Sequence, residues 1–229
     1  MLMYDAEILK AMEKKDLFIT PFDAKKLKGA SYDLELGREA LVSNRDQKVL
    51  LGPDRTSGLN LEAGDFALVL TKESMKLPLD IAGVIGMRST LARMGVILLH
   101  GMQIDPGFEG YLRFGLYNAS PRKITLDYGD DICMIEFHKL AGKATRPAPR
   151  NEDLIEGKIP ENDRQFLRTM ETTSLSSVSQ DLRTMSKSVS ELTNQVSAFA
   201  AIQNKFIIPG ILAIIVGVVV AIITIVVKK

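Results

Sequence analysis

Two short runs carry the side chains best equipped for chemistry: Gly86-Met87-Arg88-Ser89-Thr90-Leu91-Ala92-Arg93 and Gln103-Ile104-Asp105-Pro106-Gly107-Phe108-Glu109-Gly110. The first joins the guanidinium forks of Arg88 and Arg93 to the hydroxyls of Ser89 and Thr90, a set suited to gripping a polyanion. The second sets a lone carboxylate, Asp105, in a Gly- and Pro-rich turn, where it can activate a water. Anion clamps beside a base are what a nucleoside triphosphate pocket needs. Each residue also has a plainer reading: Arg88 as an interface ion-pair partner, Asp105 as a turn residue before proline, Phe108 as core. His100 and His138 are the two histidines, and both read as strand residues rather than catalysts.

The segments around these runs are short and β-prone. Asp5 to Lys14 reads as an amphipathic helix, with Asp5 as its cap and Ile8, Leu9 and Met12 on one side. Strands are expected at 66–71, 84–86, 96–99, 111–118, 124–128 and 132–138. Turn signals separate them: Gly64-Asp65, Leu77-Pro78, Asp105-Pro106-Gly107, Ser120-Pro121 and Gly129-Asp130. This spacing predicts a mainly-β barrel or sandwich, because a mixed α/β sheet would need helical crossovers.

Composition narrows the partners. A net charge of +1 gives no field to gather nucleic acid, so phosphate recognition has to be local. The single cysteine, Cys133, excludes an internal disulfide and the thiolate pairs of Cys-rich zinc sites. No metal ligands are assigned. Beyond the head the chain changes character. Residues 144–165, with Pro147, Pro149 and Pro160 among charged and polar residues, read as a linker after a head of residues 1–143. Within 166–205, Leu175, Val178, Leu182, Met185, Val189, Leu192, Val196 and Phe199 recur at alternating steps of three and four, the seam of a coiled-coil stalk. Residues 206–227 carry no charge and would span roughly 33 Å as a helix, enough to cross a lipid bilayer. Met1 to Lys15 is too charged for a signal peptide, so a single-pass C-terminal anchor with the head in the cytoplasm is expected.

Four ordered motifs resemble those of the dCTP deaminase and dUTP pyrophosphatase (dUTPase) superfamily: Ala30-Ser31-Tyr32-Asp33-Leu34-Glu35-Leu36-Gly37, the Arg88–Arg93 block, Ile104–Gly110 and Gly129-Asp130-Asp131-Ile132. Ile19-Thr20-Pro21-Phe22 and Glu136 to Gly142 are similar to its bacterial and archaeal deaminase branch. The resemblance implies a distorted β-barrel head that assembles as a homotrimer, with deoxypyrimidine nucleotide sites between subunits. It puts Arg88, Ser89, Thr90 and Arg93 on the phosphates, and Asp105 on the 3′-hydroxyl and the attacking water. Phe108 would pack on the sugar, and Gln103 joins the nucleotide-binding set. Mg²⁺ would accompany the phosphates if hydrolysis occurs.

The departures from the family pattern are equally specific. Where the deaminase carries a glutamate acid/base on the strand after the turn, this chain has Gly115. Glu109 belongs to the turn, and Glu136 to another strand. Losing the proton shuttle removes about two to four orders of magnitude from deamination. Met134 and Asp131 replace a glutamine and an arginine of the Gly129 motif. The tail that closes over the triphosphate is missing, since Thr145-Arg146-Pro147-Ala148-Pro149-Arg150 runs into the linker; Arg146 and Arg150 are either substitute phosphate ligands or solvated charges. Two functions stay open: a membrane-anchored dUTPase-type pyrophosphatase, or an inactive trimeric nucleotide sensor or scaffold.

Overall fold

Alternating burial along the strands builds the head: β-branched and aromatic residues face inward on one side of each pleat, and the ladders satisfy the backbone. The computed structural model describes residues 1–43, 48–54, 58–169, 175–202, 209–210 and 214–218. In chain order the elements are α1 (Asp5–Glu13), β1 (Phe18–Thr20), a 3₁₀ turn (Ala24–Lys26), β2 (Tyr32–Val42), β3 (Val49–Leu50), β4 (Leu59–Leu61), β5 (Phe66–Lys76) and β6 (Ile81–Met87). They continue as α2 (Ser89–Arg93), β7 (Val96–Leu99), β8 (Gln103–Ile104), β9 (Glu109–Asn118), β10 (Ile124–Leu126) and β11 (Asp131–Lys139). Three helices follow: α3 (Glu152–Ile155), α4 (Glu161–Thr169) and α5 (Leu175–Ile202).

The main sheet is antiparallel in the order β7-β9-β5-β2-β11-β6-β8, with β1 added to β5 and β3 to β2, while β10 pairs with β4 in a second small sheet. The head is a curled, mainly-β half-barrel, where a distorted barrel was expected. Its core includes Tyr32, Leu34, Leu36, Phe114, Leu116, Ile135 and Phe137, all 2% exposed or less. Each such aromatic or aliphatic side chain contributes about 1.5–3 kcal/mol by leaving water.

Three sequence expectations need correction. Tyr4, and not Asp5, is the N-cap of α1, and its N–H donates to Glu7 Oε2 at 3.4 Å. Ile8 is buried there and Leu9 is exposed. β2 escapes a search for apolar alternation because it carries Asp33, Glu35, Arg38 and Glu39. These acids are held by cations from other elements: Arg88 on Asp33, Lys26 and Lys72 on Glu35, Lys48 and Arg164 on Glu39. Beside them on β5, Glu73 is 1% exposed and accepts the Glu35 N–H at 3.1 Å; burial pushes its carboxyl up to about 7. Cys133 is fully buried, and burial pushes its thiol well up, so it is an inert core residue.

The third correction concerns 144–165. This segment holds α3 and the start of α4, and Leu154 and Ile159 pack with Leu70 into a second small core. Glu39, 3% exposed, accepts the Ile159 N–H at 3.3 Å and the Arg164 guanidinium at 2.6 Å. This buried carboxylate, also paired with Lys48, ties the extension to β2. Residues 166–169 belong to α4, so they continue this docked extension; the first compact unit runs from Met1 to Ser176.

In the second unit, α5 leaves Val178, Leu182, Met185, Val189, Leu192, Val196 and Phe199 exposed along one helix. The expected span at 206–227 lies outside the described residues except for helical 209–210 and 214–218. Among the described residues no helix is long and apolar enough to cross a membrane.

Candidate functional site

Strand β8 sets the Asp105 turn. Ile104, 4% exposed, pairs with Gly83 of β6, which points the flanking Gln103 and Asp105 outward together. Gln103 Nε2 donates to Asp105 Oδ1 at 2.9 Å. The turn then closes with Phe108 N–H on the Asp105 carbonyl at 3.2 Å and enters β9. Gly110, at φ +134°, is required there, because a Cβ would lie 2.9 Å from the carbonyl of Leu154 on α3.

These residues border a cavity of about 310 Å³, within the range of small-molecule sites. One wall is Gln103, Asp105 and Phe108; a second is His100, Leu112 and Arg113; the third is Ala148, Pro149, Arg150, Asn151 and Leu154 from the extension. The extension is tied down where it crosses the turn. Ala148 N–H donates to the Pro106 carbonyl at 2.8 Å, and a Cβ on Gly107 would meet Pro147 at 2.7 Å. Arg113 is ion-paired with Asp163 of α4. Arg150 pairs with Glu152 at 2.6 Å and lies 3.6 Å from Glu109. Of the two tail arginines considered from the sequence, Arg150 reaches the cavity.

His100 lies one residue past β7 rather than within a strand, and its ring Nδ1 contacts the Gly101 carbonyl. Burial lowers its pKa, the Gly101 carbonyl pulls it back up, and the Arg113 guanidinium lowers it further. The imidazole is thus neutral near pH 7, and with Nδ1–H donating to Gly101, Nε2 carries the free lone pair. Sequence reasoning missed His100 and Arg113 as cavity residues. The available signal was strand parity: Arg113 shares one face of β9 with Gly115, the position the resemblance singles out.

Gly115 itself is buried. A Cβ there would lie 2.4 Å from Cε2 of Phe66 and 3.1 Å from Cβ of Leu99, so an aromatic ring occupies the space a longer side chain would need.

The expected phosphate block is elsewhere in the chain. Arg88 follows β6 and caps α2, its guanidinium paired with Asp33 in the same chain; that carboxylate holds Arg88 firmly protonated. Ser89, Thr90 and Arg93 are exposed on α2. None of the four lines the Asp105 cavity. One chain therefore assembles Gln103, Asp105 and Phe108, and leaves Arg88, Ser89, Thr90 and Arg93 as a separate cluster. Among the described residues no group of three or more His, Cys, Asp or Glu side chains could hold a metal ion.

Residues 2–140 match the family described as dCTP deaminase-like. The chain belongs to this family. It is 39% identical to a dCTP deaminase of Pyrococcus furiosus over 134 residues, 58% of this chain and 83% of that relative. It is 31% identical to a dUMP-forming dCTP deaminase of Persephonella marina over 159 residues, 64% of this chain and 88% of that relative. The crystal structure of a dCTP deaminase from Agrobacterium tumefaciens aligns with TM-score 0.50 at 22% identity, covering 60% of this chain and 48% of that one, and shares the fold. The family match ends at residue 140, so the extension, α5 and the apolar tail lie beyond it.

Proposed function

We propose that this protein is a deoxypyrimidine nucleotide-binding member of the dCTP deaminase-like family that releases pyrophosphate from a dUTP-type substrate and does not deaminate. The observation that carries this reading is a contrast between two places: Gln103, Asp105 and Phe108 share an open cavity, whereas Phe66 fills the space beside Gly115, where the resemblance expects the acid/base glutamate. Asp105 would hold the 3′-hydroxyl and orient water toward the α-phosphorus, and Phe108 would pack on the sugar. Arg88, Ser89, Thr90 and Arg93 of a neighbouring subunit would hold the phosphates, which a homotrimer permits. Mg²⁺ would enter with the phosphates and neutralise their charge; Asp33 is committed to Arg88 and is not available to ligate it.

The exposed stripe on α5 supports parallel self-association into a stalk, and the uncharged run 206–227 supports a C-terminal membrane anchor with the head in the cytoplasm. Vesicle flotation of the full chain, compared with a chain ending at residue 205, tests the anchor. Sedimentation in detergent tests the trimer.

The decisive assay incubates the full chain with dUTP, dCTP and dTTP plus Mg²⁺ and follows pyrophosphate and ammonia. Pyrophosphate release abolished by Asp105→Asn is expected, and ammonia release overturns the reading of Gly115. A turnover-free sensor is the second reading, favoured by the loss of the side chain at Gly115 and by Met134 in the Gly129 motif; binding without either product supports it.

A further inference from the structure

The lining of the Asp105 cavity also includes two groups that the family resemblance does not supply. Arg113 is donor-only: a guanidinium offers five N–H groups and no lone pair. Its ion pair with Asp163 uses one arm and fixes the side chain against α4, leaving further donors along the same wall. His100 is its neighbour, close enough that the guanidinium disfavours a charge on the ring. With Nδ1–H directed to the Gly101 carbonyl, Nε2 presents an acceptor. The wall therefore reads donor beside acceptor.

We infer that Arg113 and His100 form a base-reading pair that selects a 4-keto pyrimidine over a 4-amino one. This rests on the nucleotide reading above, with the sugar held at Asp105 and Phe108. The Watson–Crick edge of uracil or thymine presents the O4 carbonyl as acceptor and N3–H as donor, complementary to Arg113 and His100 respectively. Cytosine reverses both, placing its 4-amino donor against a guanidinium that cannot accept and its N3 lone pair against another lone pair. A polar group left unmatched in a half-buried site costs more than a matched one gains, so discrimination comes chiefly from rejection of cytosine. Position 113 lies one pleat from Gly115 on the same face of β9, so a cation stands next to the position where the resemblance expects the acid/base glutamate. A family site that elsewhere serves a 4-amino base is here lined for the keto form.

The test measures the affinity of the full chain, in detergent micelles with EDTA to prevent turnover, for dUTP and dCTP, which differ only at the base edge. dUTP is expected to bind at least about tenfold more tightly. Arg113→Gln, whose amide can both donate and accept, should bring the two within about threefold. Asp163→Asn loosens the strut but keeps the guanidinium, and should leave the ratio unchanged. Equal affinities in the wild type, an unchanged ratio in Arg113→Gln, or a ratio lost equally in Asp163→Asn each overturn base reading by Arg113. No binding of either nucleotide overturns the nucleotide reading itself, and this proposal with it.

Discussion

The Asp105 turn and the Gly115 end of β9 are ten residues apart and have gone opposite ways. At the turn an exposed carboxylate is held by Gln103 and faces open space; at position 115 there is no side chain, and the Phe66 ring lies against the backbone. The two positions are set by separate contacts: a short strand register and one amide place the Asp105 carboxylate, whereas core-like packing against Phe66 closes position 115.

The largest effect is expected at the turn: Asp105→Asn should lower pyrophosphate release by about 10²–10⁴-fold, measured at saturating dUTP, with the thermal midpoint unchanged because the side chain is exposed. At the other region, Gly115→Glu should lower stability by about 3 kcal/mol in chemical denaturation, since it drives a carboxylate into Phe66. Adding Phe66→Ala should recover part of that loss. If Gly115→Glu alone is neutral, the site is not closed and the contrast fails.

Glu73 gives a third measurement of slightly smaller size. Its folded carboxyl titrates near 7 against an ordinary 4.5, so between those values the folded state holds more protons than the unfolded one. Stability from this group is therefore present below about pH 4.5 and is lost as pH rises toward neutrality, by about 2–3 kcal/mol. Glu73→Gln should flatten that slope, read from denaturant midpoints at pH 5 and pH 8. The smallest effect is at the extension: Leu154→Ala should cost about 2 kcal/mol of its docking and speed proteolytic cleavage between residues 140 and 169.

Much of this was legible from residue order. Strand β9 announced itself through the Asp105-Pro106-Gly107 turn and the aromatic run that follows, and β7 occupies the four residues expected. Asp105, Gln103 and Phe108 lie together because they flank one turn, a local relation that sequence carries well. What was missed depends on distance along the chain. β2 looked too charged for a central strand until Arg164, Lys72 and Arg88 came in from afar to pair its acids. The extension looked like a linker because its apolar residues are few, yet Leu154 and Ile159 find Leu70 more than eighty residues earlier. A five-residue helix such as α2 offers too little periodicity to register.

The hydrogen bond from Ala148 to Pro106 has a thermodynamic corollary. The segment carrying Pro149, Arg150 and Asn151 is both the brace of the turn and part of the cavity's lining, so occupancy of the cavity and attachment of that segment share one cycle. Whatever free energy a guest draws from Arg150 or Asn151, it must return in equal measure as resistance of that segment to lifting away. Hydrogen exchange along residues 148–155 would then report what the cavity holds, even for a guest that undergoes no reaction.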